Sequence, residues 1–393
     1  MKKVFLFSLF LVLGLVLSQC LPVWLGEAFL TAEKVAKTLM FVCLAFIMIN
    51  VGREFELDKT KWRSYAADYF IAMATAAVPW IMVAFYYMFL LPADLFGNWD
   101  AWKENLLLSR FAAPTSAGIL FTMLAAAGLR REWIYKKTQV LAIFDDLDTI
   151  LLMIPLQIFM IGFKWQLFAV VIVITFLLVI GWKKLGTIRL SQTRKSILFY
   201  AVCIVAVTES IYLLTKWMMG ADGAIHIEVL LPAFVLGMVM KTVHQHGNRD
   251  EKITGMISYL FMFLVGLSTP QFIGIDHGHR ITEAVGIIAA QPMPSWEVLI
   301  VHVIVVTLLS NLGKMFPLFF YRDRQLEERL ALSVGMFTRG EVGAGIIVIA
   351  MGYNLGGPAL IISVLSLVLN LLLTGGFVVI VKRLAQQAYG LKE

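Results

Sequence analysis

Residues 141–155 read LAIFDDLDTILLMIP. Three carboxylates, Asp145, Asp146 and Asp148, stand inside an otherwise apolar run. A charge near the centre of a bilayer costs at least about 2.5–3.5 kcal/mol on insertion scales. These acids therefore need a partner, a water-filled cavity or protons. Helical geometry puts Asp145 and Asp148 on one face and turns Asp146 about 100° away, so two adjacent acids address different partners. A purely structural cluster does not require three acids at this depth, and the pattern points to a cation or proton site.

The chain around this stretch is apolar throughout. Of 393 residues 60% are hydrophobic and 15% charged, with a mean hydropathy of +0.83. Soluble domains are about half apolar and about a quarter charged, so an ordinary soluble protein is excluded. At about 20 residues per spanning helix, the apolar runs at 4–20, 35–51, 67–91, 106–128, 134–162, 167–182, 196–215, 227–240, 253–272, 296–320, 330–353 and 357–381 predict an all-α polytopic membrane protein of twelve helices. Cys20, Cys43 and Cys203 are far apart in or beside apolar runs, which excludes a disulfide scaffold. The scattered glycines form no phosphate-cradling loop or nucleotide motif, and no cofactor is expected. The net charge of +7 is the excess of cytoplasmic loops rather than a nucleic-acid surface. Alternate connections carry 24 of the 33 Lys and Arg against six, which places both termini in the cytoplasm. Arg110, Lys314 and Arg339 fall inside apolar stretches. Met1-Lys2-Lys3 and the apolar run after it also begin as a secretory signal does, but the segment reads as the first helix.

Weak internal matches support that reading. LVLGLVLS at 11–18 resembles FVLGMVMK at 234–241, setting Gly14 against Gly237; FIMINVG at 46–52 resembles LFMFLVG at 260–266, setting Gly52 against Gly266. LLLS at 106–109 and LALS at 330–333 open the fourth and eleventh helices alike. The matches fall in order and relate helices 1–5 to helices 8–12, with the second set crossing in the opposite sense. This predicts one transmembrane domain, 1–393, made of a first repeat over 1–162, connecting helices over 163–226 and an inverted second repeat over 227–382. Inverted repeats mark secondary transporters.

The fourth and eleventh helices both carry breakers at mid-span. In Ala113-Pro114-Thr115-Ser116 the proline removes a backbone donor and pushes residue 113 out of the helical region. In Phe337-Thr338-Arg339-Gly340-Glu341-Val342-Gly343-Ala344-Gly345 three glycines surround an Arg and a Glu. Two interrupted helices in matching positions point to a midplane ion site. Arg339 and Glu341 are expected to neutralise the half-helix ends, and Thr115 and Ser116 to offer hydroxyls near the ion. Lys314, in SNLGKMFPLFF, lies about 12 Å from the cytoplasmic end of its helix, too deep for easy snorkelling, and is expected to pair with Asp145.

Together, IFDDLDT, APTSAG, the Lys314 segment and FTRGEVGAG resemble the monovalent cation:proton antiporter superfamily, the sodium/proton exchangers, over nearly the whole chain. Gly52-Arg53-Glu54 is similar to that family's Gly-Leu-Glu segment, with Arg53 replacing an apolar residue. The resemblance implies broken helices that cross beside the aspartates, and a core of helices 3, 4, 5, 10, 11 and 12 that moves against a dimerisation domain. It also implies that Asp146 exchanges Na+ for protons and that Asp145 pairs with the lysine; as the metal-binding acids for Na+ these are Asp146 and Asp145. The Asp-Asp form implies net charge movement, two protons against one cation. Asp148 is an addition to the pattern. The expected partners are monovalent cations, protons, the lipid bilayer and a second copy of the chain, in the plasma membrane of a prokaryote.

Na+ or Li+ exchange is the first reading and K+/H+ exchange the alternative, since the acids do not fix cavity size. The few residues after the last span, where K+ efflux relatives often carry a gating domain, favour Na+. An intramembrane aspartyl protease needs two acids on separate helices, and Asp145 and Asp146 are adjacent on one. A channel is disfavoured by inverted repeats with two breaks. Glu209 reads equally as a local acid or a functional one. Asp276, His277 and His279 read as a solvated loop rather than a metal site, His244 and His246 as loop residues able to sense pH, and His302 as a satisfied core residue.

Overall fold

With no water in the hydrocarbon, a spanning segment must satisfy its own backbone hydrogen bonds, and helices do so within one segment. The structure, a computed structural model, describes residues 2–54, 62–161, 166–184, 186–219, 229–240, 248–268, 286–353 and 355–390. These form α1 (Lys2–Leu25), α2 (Phe29–Glu54), α3 (Trp62–Leu90), α4 (Trp99–Ser109), α5 (Ala117–Ala126), α6 (Trp133–Ile161), α7 (Gln166–Lys183), α8 (Arg194–Met219), α9 (Leu230–Val239), α10 (Asn248–Leu267), α11 (Trp296–Gly313), α12 (Leu326–Gly335), α13 (Glu341–Gly352) and α14 (Gly357–Tyr389). Among the described residues there is no strand, only an isolated bridge between Ile188 and Met240. The helices α4 and α5 divide one apolar run, as do α12 and α13.

Among the described residues, four segments, Arg63–Leu90, Arg194–Met218, Trp296–Phe319 and Gly357–Tyr389, are each long and apolar enough to cross a membrane alone. Large apolar side chains stand outward on these helices, among them Phe89 at 72% and Trp217 at 84% exposure. In water such surfaces would drive association; in lipid they meet a matching solvent.

The chain divides into two compact units. One consists of Met1–Gly26, Lys61–Met160 and Val265–Glu393, and so contains α1, α3–α6 and α11–α14. The other consists of Glu27–Thr60 and Ile161–Leu264, with α2, α7–α9 and most of α10. The first unit holds every helix that the resemblance implies for a core, and α1 as well, which packs on α14 and α5.

Glycine sets the closest helix contacts. Within the second unit α2 and α9 touch backbone to backbone: a β-carbon on Gly52 would run into the Phe234 carbonyl oxygen, and one on Gly237 into that of Ile49. Within the first unit the last turn of α10 does the same to α1, where a β-carbon on Gly266 would strike the Leu11 carbonyl beside Gly14. These are the four glycines that the internal matches pair. Exchanging Gly14 with Gly237 and Gly52 with Gly266 turns one contact into the other. Membrane helices gain van der Waals contact from such small residues, and overpacking costs about 1–3 kcal/mol. Gly237→Ala should therefore lower the melting temperature of detergent-purified protein clearly, whereas Gly255→Ala, whose β-carbon meets nothing, should not. Equal melting of the two variants would contradict this packing.

Candidate functional site

The first break follows from Pro114. Helix α4 starts on Asn98, whose side chain accepts from the Asp100 and Ala101 amides, and ends at Ser109. A tight turn, Arg110–Ala112, follows, and α5 resumes only at Ala117. Ala113 keeps helical dihedrals, φ −75° and ψ −55°. The expectation that proline displaces residue 113 is thus corrected: the bias before proline is a preference, and the chain leaves the helix after Ala113. The second break runs from Met336 to Gly340, between α12 and α13.

The two breaks meet. The Ser116 amide donates to the Thr338 carbonyl at 3.0 Å, and Thr115 Oγ1 donates to the Met336 carbonyl at 3.1 Å. A β-carbon at Gly340 would fall 2.6 Å from Ser116 Oγ and 2.8 Å from Ile119 Cδ1, so this approach requires glycine there.

Six buried charges surround the junction. Lys314 Nζ lies 2.8 and 3.0 Å from the two oxygens of Asp145, and both residues are 0% exposed. The Thr115 amide, released by the break, donates to Asp145 Oδ2 at 2.7 Å. Lys314 is not mid-helix, because α11 stops at Gly313; a β-carbon there would lie 2.5 Å from Pro79 Cα of α3. Ending α11 frees the Ser310 carbonyl, and Arg339 takes it together with one carbonyl from each break. Its guanidinium donates to the carbonyls of Pro114 and Met336 at 3.3 Å and of Ser310 at 3.2 Å, a cation placed where helix ends are negative. Asp146 is 2% exposed on the neighbouring face of α6. Arg110 and Asp148, equally buried, complete a set of three bases and three acids. Each of those charges alone would be costly, and together they balance.

The structure thus brings Asp145, Thr115 and Lys314 into contact, and joins Ser116 and Arg339 to the breaks. The Glu341 side chain lies outside the described residues, as do Asp276, His277, His279, His244 and His246. His302 is half-buried and shares a 2.7 Å hydrogen bond with Tyr86; Glu209 is half-buried on α8 of the other unit. Sequence reasoning did not single out the buried polar seam that runs toward Lys314: Tyr87 with Ser363 at 2.6 Å, Thr307 with Ser366 at 2.9 Å and Asn311 with Asn370 at 3.0 Å. The signal was present as a matched spacing, since Thr307–Asn311 and Ser366–Asn370 each step by one helical turn.

An all-helical membrane bundle with two joined breaks beside balanced buried charges is the framework of a secondary transporter. The chain belongs to the transmembrane sodium/hydrogen exchanger family, whose sequence model matches residues 2–384. In fold it is similar to the sodium proton antiporter from Methanocaldococcus jannaschii, at 12% identity and a TM-score of 0.59 over 98% of this chain and 92% of that one. No protein with a curated description matches it in sequence. The chain is accordingly a membrane-embedded cation/proton exchanger and not an enzyme.

Proposed function

We propose that this chain exchanges Na+ or Li+ for protons by alternating access, with Asp146 as the exchanging carboxylate. The observation that carries the reading is the engagement of Asp145. Its oxygens already serve Lys314 and the Thr115 amide, so the reading gives exchange to the adjacent acid on the other face. A carboxylate out of water is stable when protonated or when a cation stands beside it, and costly otherwise. Proton and cation then compete for one position, and neither is bound without the other leaving. Thr115 and Ser116, at the junction of the breaks, are the hydroxyls assigned to the ion, and Lys314, Arg339 and Glu341 hold the surrounding charge in balance. Sodium is favoured over potassium because the family description names it.

The same reading takes 1–162 and 227–382 as inverted repeats around the connecting segment 163–226, supported by the exchange of glycine contacts and the matched breaks. It places the protein as a homodimer in a prokaryotic plasma membrane with both termini in the cytoplasm. It also makes the cycle move net charge, two protons against one cation, with Asp146 carrying one proton and a second titratable group of the buried cluster the other; one net charge is worth about 2.3 kcal/mol per 100 mV to Na+ extrusion. Proteoliposomes with an internal pH dye, pulsed separately with Na+, Li+ and K+, test it. Proton movement with Na+ or Li+ is expected; movement with K+ alone would replace Na+ by K+ as the substrate, and absence of movement with all three in folded protein would refute exchange.

A further inference from the structure

The exchange reading leaves Arg110 and Asp148 without a task, although both are buried beside the site. Arg110 closes the first half of the broken helix. Its Nη2 donates to the Asp148 main-chain oxygen at 3.1 Å, and its guanidinium carbon lies 4.4 Å above the Trp80 ring. Trp80 is itself fixed, through Nε1, to the Leu106 carbonyl at 2.8 Å. None of these contacts uses the Asp148 carboxylate. That group approaches Arg110 only to 3.8 Å, and Asp148 Oδ2, Arg110 Nε and Arg110 Nη1 have no hydrogen-bond partner among the described residues. The arginine is therefore held by a carbonyl and an aromatic face, and the carboxylate adds charge rather than geometry.

Position gives that charge a use. Asp148 stands one helical turn beyond Asp145, a rise of about 4.5 Å, and two residues from Asp146. Besides Arg110 and the nearby Asp146, the charged groups that act on it include Asp145 and Lys314, with the Tyr69 phenol of α3 as a neutral neighbour. Lys314 is already matched by Asp145, so Asp148 is what stands against Arg110. Without it a full positive charge would sit within the field of the cation site in a medium that screens poorly.

We propose that Arg110 and Asp148 form a charge-setting pair, in which the carboxylate cancels the guanidinium at the cation site and so fixes the affinity for the transported cation. The proposal rests on the exchange reading but is separable from it, because its readout is binding. The half-saturating Na+ concentration for thermal stabilisation of purified protein is measured in wild type and three variants. Asp148→Asn should raise it about tenfold and Arg110→Gln should lower it about tenfold, as expected for one charge roughly 10 Å from the cation at an effective dielectric of about 20. Combining the two should bring it back to within about threefold of wild type, because opposite field changes cancel.

A combined variant as weak as Asp148→Asn would make Asp148 a direct ligand and overturn the proposal. Single variants that melt lower with unchanged Na+ dependence would assign the pair to stability alone and overturn it as well. The same conclusion follows if neither single variant folds while the double does, since a buried pair replaced as a whole is tolerated better than one broken. If only Arg110→Gln is recovered, a lower midpoint supports the proposal and an unchanged or higher one sinks it. Wild type that binds Na+ but moves no protons would refute exchange while leaving the charge-setting comparison intact.

Discussion

Asp146→Asn is expected to abolish cation-dependent proton movement while leaving the protein folded. Asparagine matches aspartate in size and keeps a carbonyl acceptor, so packing on α6 is retained. What it loses is the ability to carry a proton in one half of the cycle and compensate a cation in the other. The expected result is a monodisperse protein whose proton flux in proteoliposomes, after a Na+ pulse, is at the level of empty vesicles. Substantial residual flux would move the exchanging role to another of the buried acids.

Lys314→Ala should have the largest effect on stability. The change leaves Asp145 fully buried without its ion-pair partner, with the Thr115 amide and, at longer range, Arg110 and Arg339 against its charge, and removing one partner of a buried pair costs about 3–5 kcal/mol. A marked fall in melting temperature, or failure to accumulate, is expected. Lys314→Met combined with Asp145→Asn should recover much of that loss, since no unpaired charge remains and Asn still accepts from the amide. A single variant as stable as wild type would mean that Asp145 is compensated otherwise. Normal Na+-driven flux in a folded Lys314→Ala protein would count against a coupling role for the lysine.

The contact of Lys314 with Asp145 was legible in the sequence for a simple reason. A base and an acid stranded in apolar spans have few solutions other than each other, even when 169 residues apart. The two breaks were legible because Pro114 and the glycines after Arg339 leave no continuous helix. Arg110 was noticed as a charge out of place, but its partners were not, because cation–π contact with Trp80 and a bond to a main-chain oxygen leave no pattern in side-chain types. Asp68, buried at the start of α3 and held by Lys137 at 2.8 Å and Tyr321 at 2.6 Å, was passed over because basic residues crowd that end and an acid there looks solvated. The seam of Thr307, Asn311, Ser366 and Asn370 left only a matched spacing, a faint signal because single hydroxyls and amides cost a membrane helix little and contribute about 0.6 kcal/mol each when paired. The end of α11 at Gly313 was missed as well. Its cause, contact with Pro79 of α3, is a tertiary one.

The central claim is that one buried carboxylate, Asp146, holds either a proton or a cation. The direct measurement is the number of protons released when Na+ is added to purified, weakly buffered protein at constant pH. Release that saturates with Na+ and disappears in Asp146→Asn is the predicted result. Na+ binding with no release at any pH would contradict competition at a single site.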